Sequence, residues 1–194
     1  MGRKINRVPV RLDAKGIKTL SKSDIAIILR AADPLIMHGG RALLAKILKG
    51  SKEKKLLEQG LDKSPVYGTF KTLSLEEIQA RIDWLILNDY LAIEYDYRLP
   101  LLVYTHKGWE IEQETYATEL LQDIDQLLER GETQTDMSYL KDRNRGMIFL
   151  LLDKIEATGN PKYLSVLRAW KKVDYKKVQM RINQVMRSLE QAVV

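Results

Sequence analysis

The sequence predicts a mainly α-helical protein with one small β-hairpin wing and a second, C-terminal helical subdomain, and three observations carry that prediction. Residues 74–89 show a helix-start signature ahead of an apolar stripe, the runs 91–95 and 101–105 are rich in β-branched and aromatic residues, and residues 147–189 carry further helical stripes separated by breaks. Helices that lead into a two-stranded ribbon make a winged helix-turn-helix. The chain then divides into a basic arm and helix over 1–38, a winged helix over 39–112, an acidic helix and linker over 113–136, and a basic helical subdomain over 137–194.

The arm holds Arg3, Lys4, Arg7, Arg11, Lys15 and Lys18, and in Arg7-Val-Pro-Val-Arg11 the proline restricts its predecessor to extended conformations. Such a segment is either loose or docked as a strand. Ser21 and Asp24 open a helix through Ile25, Ile28, Leu29 and Ala32 that Asp33-Pro34 stops. After a His38-Gly39-Gly40 turn come two helical runs, 41–49 and 52–60, joined by Gly50-Ser51. Ser51 reads as the N-cap of the second run, with Lys52, Lys54 and Lys55 in its first turn.

Pro65 and Gly68 bracket a turn in which Tyr67 either presents its hydroxyl outward or packs its ring beneath. Lys71 follows. In the next helix Ser74 and Glu77 form a capping box, Leu73 can staple onto Ile78, and Ile78, Ile82, Leu85 and Ile86 recur as a buried stripe until Asn88-Asp89. The two strands flank Asp96-Tyr-Arg-Leu-Pro100, hairpin-sized and too short for a helix. Tyr97 lies near the tip, and because Tyr95 is two positions away the pair could equally share one packed face.

Beyond the wing, residues 111–130 read as an acidic helix with Tyr116, Leu120, Ile124 and Leu127 on one stripe, and 131–136 as a polar linker. Gly159-Asn-Pro161 opens a helix through Val166, Leu167 and Trp170, and Asp174 opens the last, whose stripe is Val178, Ile182, Val185, Met186 and Leu189. This pattern resembles a HEAT-type unit. One unit falls short of the three or so repeats needed for independent stability, so it must pack on the acidic helix or the winged helix.

Charge separates the regions further. The 194 residues are 45% hydrophobic, enough for a real core, and the net +6 hides a block pattern. Residues 1–60 hold 14 Lys and Arg against 5 Asp and Glu, residues 61–136 hold 6 against 16, and residues 137–194 hold 12 against 5. Basic ends around an acidic middle suit a polyanion held at two places. The helix over 75–89, which would enter the major groove of an ordinary winged-helix complex, carries Glu76, Glu77, Asp83 and Asp89 against Arg81 and would repel phosphate. The start of the preceding helix, with Ser51 as cap and free N–H groups, reads instead as an anion seat.

Several classes are excluded or disfavoured. No Gly-x-x-x-x-Gly-Lys-Ser/Thr loop is present to cradle ATP, and the absence of cysteine rules out a cysteine-ligated zinc and disulfides. No run reaches roughly 18 apolar residues. His38 and His106 stand in no metal or triad spacing. The expectation is a cytoplasmic protein, nucleoid-associated if bacterial, with no catalytic role, no cofactor, no metal and no membrane partner.

Gly40-Arg-Ala-Leu-Leu-Ala-Lys-Ile-Leu-Lys-Gly-Ser51, Leu61-Asp-Lys-Ser-Pro-Val-Tyr-Gly68, and Leu73-Ser74 followed by Ile82-Asp-Trp-Leu-Ile86 resemble the RQC domain, the RecQ C-terminal winged helix, and the closing Leu101 to Gly108, with its Thr105-His-Lys-Gly108, resembles that domain's last strand. The resemblance covers somewhat over a third of the chain and is nearest to small stand-alone RQC proteins without a helicase motor. It implies duplex DNA gripped by the second helix and the wing, and a wing able to pry open a duplex end. The matching positions are Lys49, Ser51, Lys52 and Lys55 around the second helix, with Tyr97 and Arg98 at the wing; Lys54 and Lys71 join them on charge. A second phosphate track is available in Arg143, Arg145, Lys171, Lys172, Lys176, Lys177, Arg181 and Arg187. The expected function is a non-catalytic protein that grips duplex or forked DNA through phosphate contacts, in repair or replication. The alternative is an adaptor that binds a protein partner through the winged helix and HEAT-like segment.

Overall fold

The computed structural model describes residues 6–131 and 136–191. Arg3 and Lys4 of the arm and residues 132–135 of the linker lie outside the described residues. The chain forms two compact units, Met1–Glu112 and Gln113–Val194, and the division falls inside one long helix.

The first unit contains α1 (Lys22–Ala32), α2 (Arg41–Lys49), α3 (Lys54–Glu58), α4 (Leu75–Leu87), β1 (Leu91–Asp96), β2 (Leu99–Tyr104) and the start of α5 (His106–Glu129). Ser21 caps α1 by accepting the Asp24 N–H at 3.0 Å. Ile28, Leu29, Leu44, Ile47, Leu48, Ile78, Ile82 and Leu85 meet in one core, so the helical stripes of α1, α2 and α4 converge. Burying side chains of this size contributes roughly 1.5–3 kcal/mol each before entropy is set against it. The capping box on α4 is complete: Glu77 N–H donates to the Ser74 hydroxyl at 3.2 Å, and Ser74 N–H to the Glu77 carboxylate at 2.7 Å.

The expected five-residue loop of the wing is corrected. The strands are joined by a two-residue turn, Tyr97-Arg98, and Leu99 and Pro100 belong to β2, opposite Asp96 and Tyr95. Tyr97 adopts φ 52°, which closes the turn tightly without a glycine. Pro100 is tolerated because its strand is an edge. That edge does not stay bare, since Met37 N–H donates to the Leu102 carbonyl and Leu102 N–H to the Gly39 carbonyl, at 3.0 and 2.9 Å.

The helix after the wing starts at His106 instead of Ile111. Thr105 is the cause. Its hydroxyl oxygen accepts the Gly108 N–H at 3.1 Å, closing the first turn, while the hydroxyl donates to the Asp89 carbonyl at 2.6 Å. Thr105-His-Lys-Gly108, expected to close the last strand, is thus a helix start stitched to the end of α4, and the strand stops at Tyr104.

The second unit gathers the later part of α5 with α6 (Arg145–Ala157), α7 (Leu164–Val173) and α8 (Lys176–Gln191) around Trp170, Leu151, Leu152, Leu167 and Ile182. From α5 the core takes Ala117, Leu120 and Ile124; Leu127, expected on that stripe, is only half-buried. Asn144 caps α6, accepting N–H groups from Gly146 and Met147. Polar pins hold the helices in register. Tyr163 donates its hydroxyl to Asp125 at 2.6 Å, and burial first, then this carboxylate, pushes the phenol up to about 12.

Candidate nucleic-acid interface

The segments Lys49-Gly-Ser51 and Val66-Tyr-Gly68, far apart in sequence, fold into one clasp. Gly50 takes the left-handed conformation, φ 76° and ψ 42°, that ends α2, and it bonds to Ile47 while Ser51 N–H reaches back to the Lys46 carbonyl at 3.0 Å. This is a Schellman motif. Gly68 N–H and Phe70 N–H then donate to the Ile47 and Leu48 carbonyls, both at 2.9 Å, so the loop satisfies the open end of the helix. The fit leaves no room for side chains: a Cβ on Gly50 would lie 3.0 Å from the Gly68 Cα. Tyr67 packs its ring inward and donates its hydroxyl to the Ser51 carbonyl at 2.9 Å.

This clasp overturns the predicted N-cap. Ser51 is spent in closing α2, and its carbonyl is held by Tyr67, so the chain runs extended to Glu53 before α3 begins at Lys54. Glu53 is the N-cap and makes no side-chain capping bond. A five-residue helix headed by a carboxylate is no anion seat, because its aligned dipoles are few and its N-cap, Glu53, is itself an anion. Phosphate contact on this side therefore rests on lysine side chains.

Those lysines have different fates. Lys49 donates its ammonium to the Lys71 and Leu73 carbonyls at 2.8 and 2.6 Å, so it works as a tie across the clasp. Lys54 sits 3.7 Å from Glu58 in an exposed pair of small energetic weight. Lys46 is paired with Glu53. Lys52, Lys55 and Lys71 have exposed side chains, and they flank the clasp from both of its segments.

The acidic helix α4 is less bare than its composition implies. Asp83 is buried, with 5% of its side chain exposed; it pairs with Arg41 at 2.5 Å and accepts the Asp13 N–H at 2.8 Å. Lys15 reaches Glu76 at 2.7 Å, and this hydrogen bond holds the Glu76 carboxyl below the usual range. Glu77 is likewise lowered, chiefly by the Ser74 N–H of the capping box. Nothing basic replaces these carboxylates, so α4 still offers no reading face. Asp83 inside the apolar run Ile82-Asp-Trp-Leu-Ile86 was the available signal for a buried pair. Arg41→Ala should strand that carboxylate and destabilise the protein by about 3 kcal/mol in chemical denaturation; a loss under about 1 kcal/mol would mean that the pair is solvated.

At the wing, Tyr97 is 68% and Leu99 60% exposed, so the tip is apolar on both sides of Arg98. Leu99, in the expected hairpin loop, instead pairs with Asp96 at the start of β2. Arg98 is held by the arm: its Nε donates to the Asn6 carbonyl at 2.9 Å, and its own carbonyl accepts the Val8 N–H at 3.1 Å. Tyr95 donates its hydroxyl to the Val8 carbonyl, with the Arg7 guanidinium 5.0 Å from its ring centre. The described part of the arm is thus docked along the wing, and Tyr95 packs beneath it while Tyr97 does not.

In the second unit Lys171, Lys172, Lys176, Lys177, Arg187 and Arg145 are exposed. Arg181 is not a free cation, since it bridges Asp153 and Glu156 at 2.7 and 2.5 Å and so ties α8 to α6. Arg143 lies over the Tyr116 ring at 5.1 Å and donates to the Tyr139 carbonyl. Among the described residues no group of three or more His, Asp or Glu could hold a metal ion, and no helix is long and apolar enough to cross a membrane.

The family model of the RQC domain matches residues 22–129, more than half of the chain. Over 69 residues the chain is 38% identical to the ATP-dependent DNA helicase RecQ of Bacillus subtilis (strain 168), a match that covers 36% of this chain and 12% of that helicase. No solved structure matches.

Proposed function

The chain belongs to the RQC-domain family, which implies a DNA-binding-related role, and from that premise we propose that it is a non-catalytic protein gripping duplex or forked DNA by its phosphates. The observation that carries this reading is the set of exposed lysines, Lys52, Lys55 and Lys71, arranged around the clasp that the two family segments build, while α4 offers carboxylates. Side-chain ammonium groups there can neutralise backbone phosphates without reading bases. The apolar tip of Tyr97 and Leu99 supplies a surface for the last base pair of a duplex end. Lys171, Lys172, Lys176, Lys177 and Arg187 supply further phosphate contacts from the second unit.

Fluorescence anisotropy with blunt duplex, forked duplex and single-stranded DNA at two salt concentrations tests the proposal. Tight binding to duplex or fork with a salt slope near −0.9 per phosphate contacted is the expected result. Weak, salt-insensitive binding to duplex and fork would refute it. Tyr97→Ala combined with Leu99→Ala should weaken binding to blunt or forked ends about tenfold, in line with roughly 1–3 kcal/mol for stacking on a base, and leave binding to circular duplex unchanged. Equal losses on both substrates would assign the tip to general backbone contact.

A further inference from the structure

The second unit contains a cavity of about 300 Å³ lined by Lys141, Arg143, Arg145 and Tyr175, with Asp142, Asp174, Ile148 and Val178 completing the wall. Three cations face two carboxylates there, and both carboxylates have partners within the protein. Asp174 is buried and accepts the Trp170 indole N–H at 2.7 Å and the Tyr175 N–H at 2.6 Å; Asp142 accepts the Tyr175 hydroxyl at 3.2 Å. The Lys141 ammonium lies 5.0 Å from the centre of the Tyr175 ring, and that tyrosine is 51% exposed. Arg145 is exposed beside them. Arg143, already stacked on Tyr116, lends charge.

We propose that this cavity is a second nucleic-acid site, which takes one unpaired nucleotide of a single strand: its phosphate on Lys141 and Arg145, its base against Tyr175. The volume lies at the small end of ligand pockets and is far too narrow for a duplex. A cation set beside an aromatic face matches the two halves of a nucleotide, and such stacking tolerates any base. The site is separate from the clasp and wing, and its residues are contained in the second unit.

The test uses the full chain and a fluorescent oligothymidine, with blunt duplex as a parallel probe. Lys141→Glu combined with Arg145→Glu should weaken oligothymidine binding at least about tenfold at low salt, several times more than it weakens blunt-duplex binding, and leave the melting temperature unchanged. Tyr175→Ala should lose about tenfold and Tyr175→Phe should not, since the ring rather than the hydroxyl stacks. Unchanged oligothymidine binding in both variants overturns the proposal. So does an oligoglutamate peptide that competes as well as oligothymidine does, because charge alone would then explain the site. Photocrosslinking of a bromouracil strand gives an independent reading: adducts at Tyr175 support the site, and adducts confined to the first unit refute it. A wild-type chain that binds oligothymidine through Tyr175 but ignores both blunt and forked duplex would sink the winged-helix reading and leave this one standing.

Discussion

Gly108→Ala is expected to unfold the first unit, at a cost of at least about 3 kcal/mol and a melting temperature lower by roughly 10 °C or more. A Cβ at this position would lie 1.9 Å from the Tyr90 carbonyl oxygen and 2.9 Å from its carbon. Both are backbone atoms, so no rotamer change relieves the clash. The approach is close because the first turn of α5 is drawn onto the end of α4 by Thr105, whose hydroxyl bonds Asp89, and because Thr105 N–H also donates to Tyr90 at 3.3 Å. Relief requires α5 to back away, which opens the core around Leu29 and Tyr90. Differential scanning calorimetry with circular dichroism measures the loss. A melting temperature within a few degrees of the wild type would show that the helix start yields easily.

Lys52→Glu with Lys55→Glu should leave stability unchanged and lower duplex affinity about a hundredfold at low salt, with a salt slope shallower by about two. Both side chains are exposed, and neither sits in an ion pair among the described residues, so reversal removes no internal contact. The charge change is confined to the surface beside the clasp. An adaptor that binds a protein through residues 137–194 would keep its affinity for that partner in the same variant. Lys49→Met should behave differently. It removes two bonds to the Lys71 and Leu73 carbonyls, and so it should cost about 1–3 kcal/mol of stability, seen as a lower denaturation midpoint, as well as DNA affinity.

What could be read in the sequence was what depends on neighbours in the chain. Ser74 and Glu77 form their box within one turn, and the periodic apolar residues of α4 and α8 must face a core wherever that core lies. Ser51 shows where such reading stops. A serine after a glycine can close one helix or open the next, and here the choice is made by Tyr67, 16 residues on, whose hydroxyl holds its carbonyl. Asp83 reads as one more carboxylate that repels phosphate until Arg41, 42 residues away, meets it. Tyr97-Arg98 offers no glycine to mark a two-residue turn, and it is the pairing of Asp96 with Leu99 across the ribbon that extends the strands to it.

By itself, then, the sequence determined the helical class, the stripes, the caps at Ser21 and Ser74, the wing and the resemblance that the family match bears out, because each follows from local periodicity or short motifs. Only the tertiary structure decided which lysines are free for a phosphate and which are ties, where α3 and α5 begin, and that Tyr97 and Leu99 crown the wing together. Those outcomes depend on carbonyls, carboxylates and rings brought together from distant parts of the chain, and a charge or a hydroxyl acquires its role only when its partner arrives.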